Sequence, residues 1–346
     1  MSWDRAAHTP PETRPHALRT LKRILIALST LAALVAASVG LTVYLNPLWV
    51  ADQTIHFHLW RQHVRSESVQ VDGYRIHYFE AVPPRIHGQL LAPEIPLILI
   101  HGLGSRGEDW SGMIPTLAAQ GFHVYAPDLL GYGRSSRLDV DYSISLQEKT
   151  VVDFMQALGL SHADVGGWSM GGWIALKLTA DHPQLVDRLV VFDAAGVYFP
   201  PTFDASLFTP SDAAGLGKLM SMLSPHPRAM PTFVERAAIR KLHGNAWVID
   251  RSVASMTAGR DLMDFRLHQI AVPALIVWGS QDVLIPLSVA HAMHRAIPGS
   301  ALLVIEGCGH LAPAECSTPV LRGTVRFLRA NPPIRGGEQD VPGDAH

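Results

Sequence analysis

Two hydrophobic patterns divide this chain. From Ile24 to Leu45 it reads ILIALSTLAALVAASVGLTVYL, 22 residues without a charge. A helix of that length reaches about 33 Å, enough to cross a hydrocarbon core of about 30 Å. From residue 68 the pattern changes to short apolar runs punctuated by glycine, proline and polar residues. Val69-Gln70-Val71 and Tyr74-Arg75-Ile76-His77-Tyr78-Phe79 flank Asp72-Gly73, a two-residue hairpin signal. The continuous apolar runs 96–100, 189–192, 274–278 and 301–305 predict strands buried on both faces, and Ala163-Asp164-Val165 predicts a further strand. Helical periodicity follows at 146–158, where Ser145 and Glu148 have capping-box spacing, and again at 173–178 and 319–330. Between 196 and 272 the alternation breaks into three short helical patterns at 213–223, 232–242 and 245–254. Residues 83–96 predict a loop, and the Pro/Gly/charged stretch 331–346 a disordered tail.

Chemistry-bearing residues fall where the predicted strands end. Gly167-Trp168-Ser169-Met170-Gly171 joins a strand to an apolar helix, and its glycines let a serine occupy a sharp corner with an exposed hydroxyl. That hydroxyl needs a base to become a nucleophile, and the base needs a carboxylate to orient it. Asp282 follows the strand 274–278, and His310 follows the strand 301–305. Asp193 also follows a strand and is the alternative acid. His101-Gly102-Leu103-Gly104 after the strand 96–100 is a tight turn whose N–H groups can face the same edge. His56/His58 and His291/His294 have ligand-like spacing, but no carboxylate or cysteine cluster completes a metal site.

With the order Ser, Asp, His and the turn at Gly102, residues 68–330 resemble the α/β-hydrolase superfamily. Asp128-Leu129-Leu130-Gly131-Tyr132-Gly133-Arg134-Ser135 and the Gly-x-Gly-His around His310 extend the match. The resemblance implies an α/β fold: a mostly parallel central sheet flanked by helices, with a helical cap inserted at about 196–272. It implies Ser169 as nucleophile, His310 as general base and Asp282 as its orienter. The backbone N–H groups of Leu103 and Met170 would be the oxyanion donors, His101 a support for the oxyanion turn, and Asp128 a structural loop residue. Haloalkane dehalogenases and epoxide hydrolases of this fold attack with aspartate, so a serine at the elbow points instead to an acyl-enzyme and ester hydrolysis. No cofactor is required.

Arg5, Arg14, Arg19, Lys22 and Arg23 precede the apolar segment 24–45, against Asp4 and Glu12, and the first charge after it is Asp52. This asymmetry predicts an uncleaved transmembrane anchor following a leader at 1–23, with the N-terminus cytoplasmic. Residues 46–67 would be a juxtamembrane linker, helical around 53–64. The catalytic domain would then lie on the non-cytoplasmic side, periplasmic in a bacterium. A cleaved signal peptide ending near Ala36-Ala37-Ser38 is the alternative. A net charge of −2 gives no electrostatic reason to expect nucleic acid. The two cysteines, Cys308 and Cys316, are expected as buried thiols, with a disulfide open in an oxidising compartment.

The sequence therefore predicts a serine ester hydrolase, a carboxylesterase or monoacylglycerol-type lipase, tethered to a bilayer through 24–45. Its substrate would be a small ester with an apolar acyl group. Cap residues such as Leu219, Met220, Met222, Leu223, Phe233, Met256, Leu262, Met263 and Phe265 could serve cap packing or an acyl pocket. Carbon–carbon bond hydrolysis or cofactor-free perhydrolysis on the same triad is the alternative, with Arg236, Arg240 and Arg260 as polar groups in the cap. A membrane-tethered binding protein without catalysis is the third reading.

Overall fold

The computed structural model describes residues 14–84 and 94–344. The leader before residue 14 and most of the predicted 83–96 loop lie outside them. Two compact units are present, residues 1–51 and 52–346.

The first unit holds helix α1 (Arg14–Leu45) and the start of α2 (Pro47–Arg61). Helix thus begins before the apolar segment and includes Arg19, Lys22 and Arg23 of the basic leader. Its stretch Arg19–Leu45 is the one helix among the described residues long and apolar enough to cross a membrane. The helix predicted at 53–64 begins earlier, at Pro47, where a proline is tolerated because a first-turn N–H has no intrahelical partner.

The second unit is built on a nine-stranded sheet. Its strands are β1 (Arg65–Val71), β2 (Tyr74–Ala81), β3 (Ile95–Ile100), β4 (Phe122–Pro127), β5 (Ala163–Trp168), β6 (Val186–Phe192), β7 (Ala274–Gly279), β8 (Ala301–Glu306) and β9 (Glu338–Pro342). The spatial order is β1-β2-β4-β3-β5-β6-β7-β8-β9. β2 runs antiparallel to β1 and β4, and every other pairing is parallel. Asp72 and Gly73 both take positive φ, 36° and 86°, which matches the twist of a two-residue hairpin.

The continuous apolar runs follow from burial on both sheet faces. Leu97 and Leu99 of β3 pack into one core with Val190, Phe192, Val277 and Ile305; Ile98 and Ile100 pack into the other with Val165, Val191 and Ile276. Helices α3 (Ile114–Ala119), α4 (Ile144–Ala157), α5 (Met170–Asp181), α9 (Leu287–Ala296), α10 (Ala312–Glu315) and α11 (Ser317–Arg329) complete the layers. Three more, α6 (Ala213–Leu223), α7 (Thr232–Gly244) and α8 (Ala246–Thr257), fill the interval between β6 and β7.

Three local expectations are corrected. Helix α4 is capped by Ser143, whose Oγ accepts from Leu146 N at 3.2 Å, while Ser145 is already inside the helix and donates to Asp261 Oδ1 at 2.6 Å. The tail predicted to be disordered from 331 contains β9, which pairs with β8. β9 is mostly exposed and held by backbone hydrogen bonds that close the open edge of β8, so apolar composition carries no trace of it. Cys308 and Cys316 are joined in a disulfide, with Cα atoms 6.4 Å apart, instead of being free thiols. The turn after β8 brings both fully buried side chains together across the short α10 segment.

Candidate active site

The parallel strands β3, β5, β7 and β8 run in one direction, so the loops after them share one edge of the sheet. Ser169 sits between β5 and α5 with φ 57° and ψ −119°, a conformation strained for any residue with a Cβ. The adjacent glycines are required sterically. A Cβ on Gly167 would lie 2.2 Å from Gly171 O, and one on Gly171 would lie 2.3 Å from Ile100 O.

At this corner three predicted residues meet. His310 Nε2 is 2.9 Å from Ser169 Oγ, and His310 Nδ1 is 2.7 Å from Asp282 Oδ2. Asp282 Oδ1 accepts from Leu284 N and Ile285 N, each at 2.9 Å, so the loop after β7 aims the other oxygen at the imidazole. His310 and Asp282 are buried, while Ser169 is partly open to solvent. If Nδ1–H donates to Asp282, Nε2 is left as the acceptor for the serine proton.

The turn after β3 abuts Ser169. A Cβ on Gly102 would lie 3.1 Å from Ser169 Cβ, a tight approach that places this turn against the serine. Leu103 follows it, and Met170 opens α5, where a first-turn N–H has no intrahelical acceptor. His101 is fully buried, its Nδ1 donating to Gly102 O at 2.8 Å and its Nε2 accepting from Leu129 N at 3.0 Å. Burial holds its pKa below the ordinary histidine value.

Asp128 makes no contact with Ser169 or His310. Its Oδ1 accepts from Gly107 N at 2.7 Å, and its Oδ2 from His77 Nδ1 and Arg134 N, each at 2.8 Å. Burial pushes its pKa up, but the hydrogen bond and charge of His77 outweigh that, and the carboxyl sits below its usual range.

Asp193, the alternative acid, is not bonded to His310. It is fully buried at φ 45°, its Oδ1 accepts from Gly279 N at 2.7 Å, and its Oδ2 has no partner among the described residues. Burial and then the charge of Asp282 raise its pKa well above the aspartate value. Through Gly279 it supports the turn that carries Asp282.

One contact at the site has no sequence signature: Trp168, the residue before the serine, donates Nε1–H to His310 O at 2.9 Å. The 308–316 disulfide, left open by the sequence, brackets His310. The helices after β6 close over the same edge: Leu311 N donates to Leu223 O at 3.2 Å, and Ile249 Cδ1 lies 3.8 Å from a Cβ placed on Gly104. Arg236, Arg240 and Arg260 are exposed, whereas Leu216, Leu219, Val248 and Ile249 are buried. Among the described residues, no group of three or more His, Cys, Asp or Glu is placed to hold a metal.

Comparison with known proteins agrees with this architecture. A family model described as the alpha/beta hydrolase fold matches residues 95–315. A 2-hydroxymuconate semialdehyde hydrolase of Pseudomonas putida is 31% identical over 246 residues, covering 67% of this chain and 86% of that protein. Lipase 1 of Psychrobacter immobilis is 27% identical over 234 residues, covering 64% and 72%. Among solved structures, a bacterial membrane phospholipase A superposes with a TM-score of 0.72 at 25% identity, covering 89% of this chain and 98% of that one.

Proposed function

The chain belongs to the alpha/beta hydrolase fold family, and from that premise we propose that it is a membrane-anchored serine ester hydrolase acting on lipid-derived esters. The observation that carries the reading is the hydrogen-bonded chain Ser169–His310–Asp282, set on a strained corner beside the Gly102 turn. In the proposed mechanism His310 Nε2 takes the Ser169 proton as Oγ attacks the ester carbonyl. The N–H groups of Leu103 and Met170 stabilise the oxyanion, and each such donor contributes on the order of 3 kcal/mol to lowering the barrier. Protonated His310 then gives its proton to the leaving alcohol, which leaves an acyl group on Ser169. A water deprotonated by His310 attacks that acyl carbon and regenerates the serine. Asp282 stabilises the imidazolium in both half-reactions without taking its proton.

Ester over carbon–carbon cleavage is favoured by the cap. The arginines that could hold a charged dienoate are exposed, and the cap residues turned inward are mostly apolar, with Ser224 and Ser252 the buried polar ones. The lipase and membrane phospholipase relatives support the same choice. Residues 24–45 are proposed as the anchor, with the N-terminus cytoplasmic and the 68–330 region on the other side. The test is hydrolysis of esters from acetyl to palmitoyl by the detergent-solubilised full chain, with Ser169→Ala alongside. Activity on medium or long acyl chains that disappears in Ser169→Ala is expected. Turnover of a ring-cleavage dienoate but of no ester would replace the reading with carbon–carbon hydrolysis.

A further inference from the structure

Away from the catalytic edge, α2 lies over the β1–β2 side of the sheet and leaves a cleft of about 570 Å³ lined by His56, Trp60, Arg65, Ser66, Phe79 and Arg134. Its cations are unequally engaged. Arg65 pairs with Glu80 at 2.8 Å, and His56 Nε2 lies 2.6 Å from the buried Glu108. Arg134 faces no carboxylate among the described residues. Its guanidinium donates to Ser66 Oγ at 3.0 Å, and its Nη2 lies 2.9 Å from both ring nitrogens of His56. If Nε2–H of His56 serves Glu108, Nδ1 is the acceptor for Arg134, and the remaining N–H groups of the guanidinium are left for an incoming anion. Glu67, on the rim, is the one acidic residue of the lining.

The surface beside the cleft is aromatic. Phe57 and Trp60 are 57% and 68% exposed and stack with centroids 5.7 Å apart. Leu59, between them in sequence, is buried, so α2 presents one face to the core and an aromatic face to solvent. His58 and Arg61 add basic groups to its last turn. The helix begins two residues after the end of the apolar segment Arg19–Leu45. An exposed aromatic pair with flanking basic residues, directly following an apolar helix of spanning length, has the chemistry of a bilayer headgroup layer. Arginine pairs with phosphate through parallel N–H bonds, which gives a headgroup a directional partner in the cleft.

We propose that the cleft beneath α2 binds the phosphate headgroup of a membrane phospholipid, held by Arg134 with Trp60 as its wall. This rests on the anchored reading above. It assigns α2 as a lipid-reading element distinct from the catalytic pocket, so that headgroup binding sets how the catalytic unit meets the bilayer.

Native mass spectrometry of the detergent-solubilised full chain, titrated with phosphatidylglycerol, tests it. One bound lipid is expected, with at least fivefold lower occupancy in Arg134→Gln and intermediate occupancy in Arg134→Lys, which keeps the charge but loses the parallel N–H pair. Equal occupancy in wild type and Arg134→Gln would overturn the site. Full displacement of the lipid by millimolar inorganic phosphate, with a phosphate adduct in its place, would overturn the lipid as its source. Vesicle flotation of the same proteins separates the two readings. Flotation without an Arg134-dependent lipid sinks the cleft alone, and an Arg134-dependent lipid without flotation sinks the anchor alone.

Discussion

Asp164 opens β5 at the sheet end opposite the active site, and it is only 2% exposed. Burial raises its pKa to about 7 against the nearby positive charge of Arg188, which pulls the other way. A carboxyl with a raised pKa binds its proton more tightly folded than unfolded, so stability must fall as pH rises through that window. The penalty is absent below the unfolded aspartate value, near 3.8, and complete above about 7. With each unit of difference worth about 1.4 kcal/mol, integration gives a loss of roughly 2.5 kcal/mol between pH 5 and pH 8. Asp164→Asn keeps the shape and removes the titration. With an unfolding entropy of ~2.1 cal/mol/K per residue across the unit 52–346, its melting temperature should therefore gain on wild type by about 4 °C between those pH values. The assay is thermal unfolding of both solubilised proteins at pH 5, 6.5 and 8 in one detergent. A difference between them that stays constant across the series would refute the argument.

Other substitutions probe the site. Asp282→Asn should lower kcat by about 10⁴, because the imidazole loses its orienting acceptor. Asp193→Asn should stay within a few-fold of wild type, since Asp193 is not bonded to His310 and asparagine keeps an oxygen to accept from Gly279 N; steady-state kinetics on one ester compares the two. Trp168→Phe removes the donor to His310 O and leaves a buried carbonyl unpaired, which costs about 1–3 kcal/mol of stability. Its kcat should fall while KM changes little, and an unchanged kcat would count against a positioning role. Reducing the disulfide, or the double substitution Cys308→Ser and Cys316→Ser, opens a ring spanning eight positions of sequence and should cost about 2–3 kcal/mol. Denaturant unfolding with and without reductant measures it.

Legibility in the sequence followed the kind of force involved. Strands such as 96–100 and 274–278 were readable because burial on both faces demands unbroken apolar runs, and their ends located the loops bearing Ser169, Asp282 and His310. β9 was not, because it closes an edge through backbone hydrogen bonds and leaves polar side chains in solvent. Ser145 has the capping-box spacing to Glu148, yet Ser143 caps the helix while Ser145 bonds Asp261, a partner distant in sequence. Asp193 and Asp282 each follow a strand, and which of them reaches His310 depends on the turn that Leu284 N and Ile285 N impose on the loop after β7. The disulfide was open in the sequence, since spacing permits it without requiring it. The cleft under α2 joins a helix, a hairpin and the loop carrying Arg134, a juxtaposition made only by folding.

The central claim is covalent catalysis on Ser169. Rapid quenching of the enzyme with a p-nitrophenyl ester, followed by intact-mass and peptide analysis, tests it most directly. The account predicts one acyl group on the peptide containing Ser169, transient in wild type, persistent in a His310→Ala variant whose serine has been acylated chemically, and absent in Ser169→Ala. Ester turnover with no acyl adduct on wild type, or with full activity retained in Ser169→Ala, would contradict it.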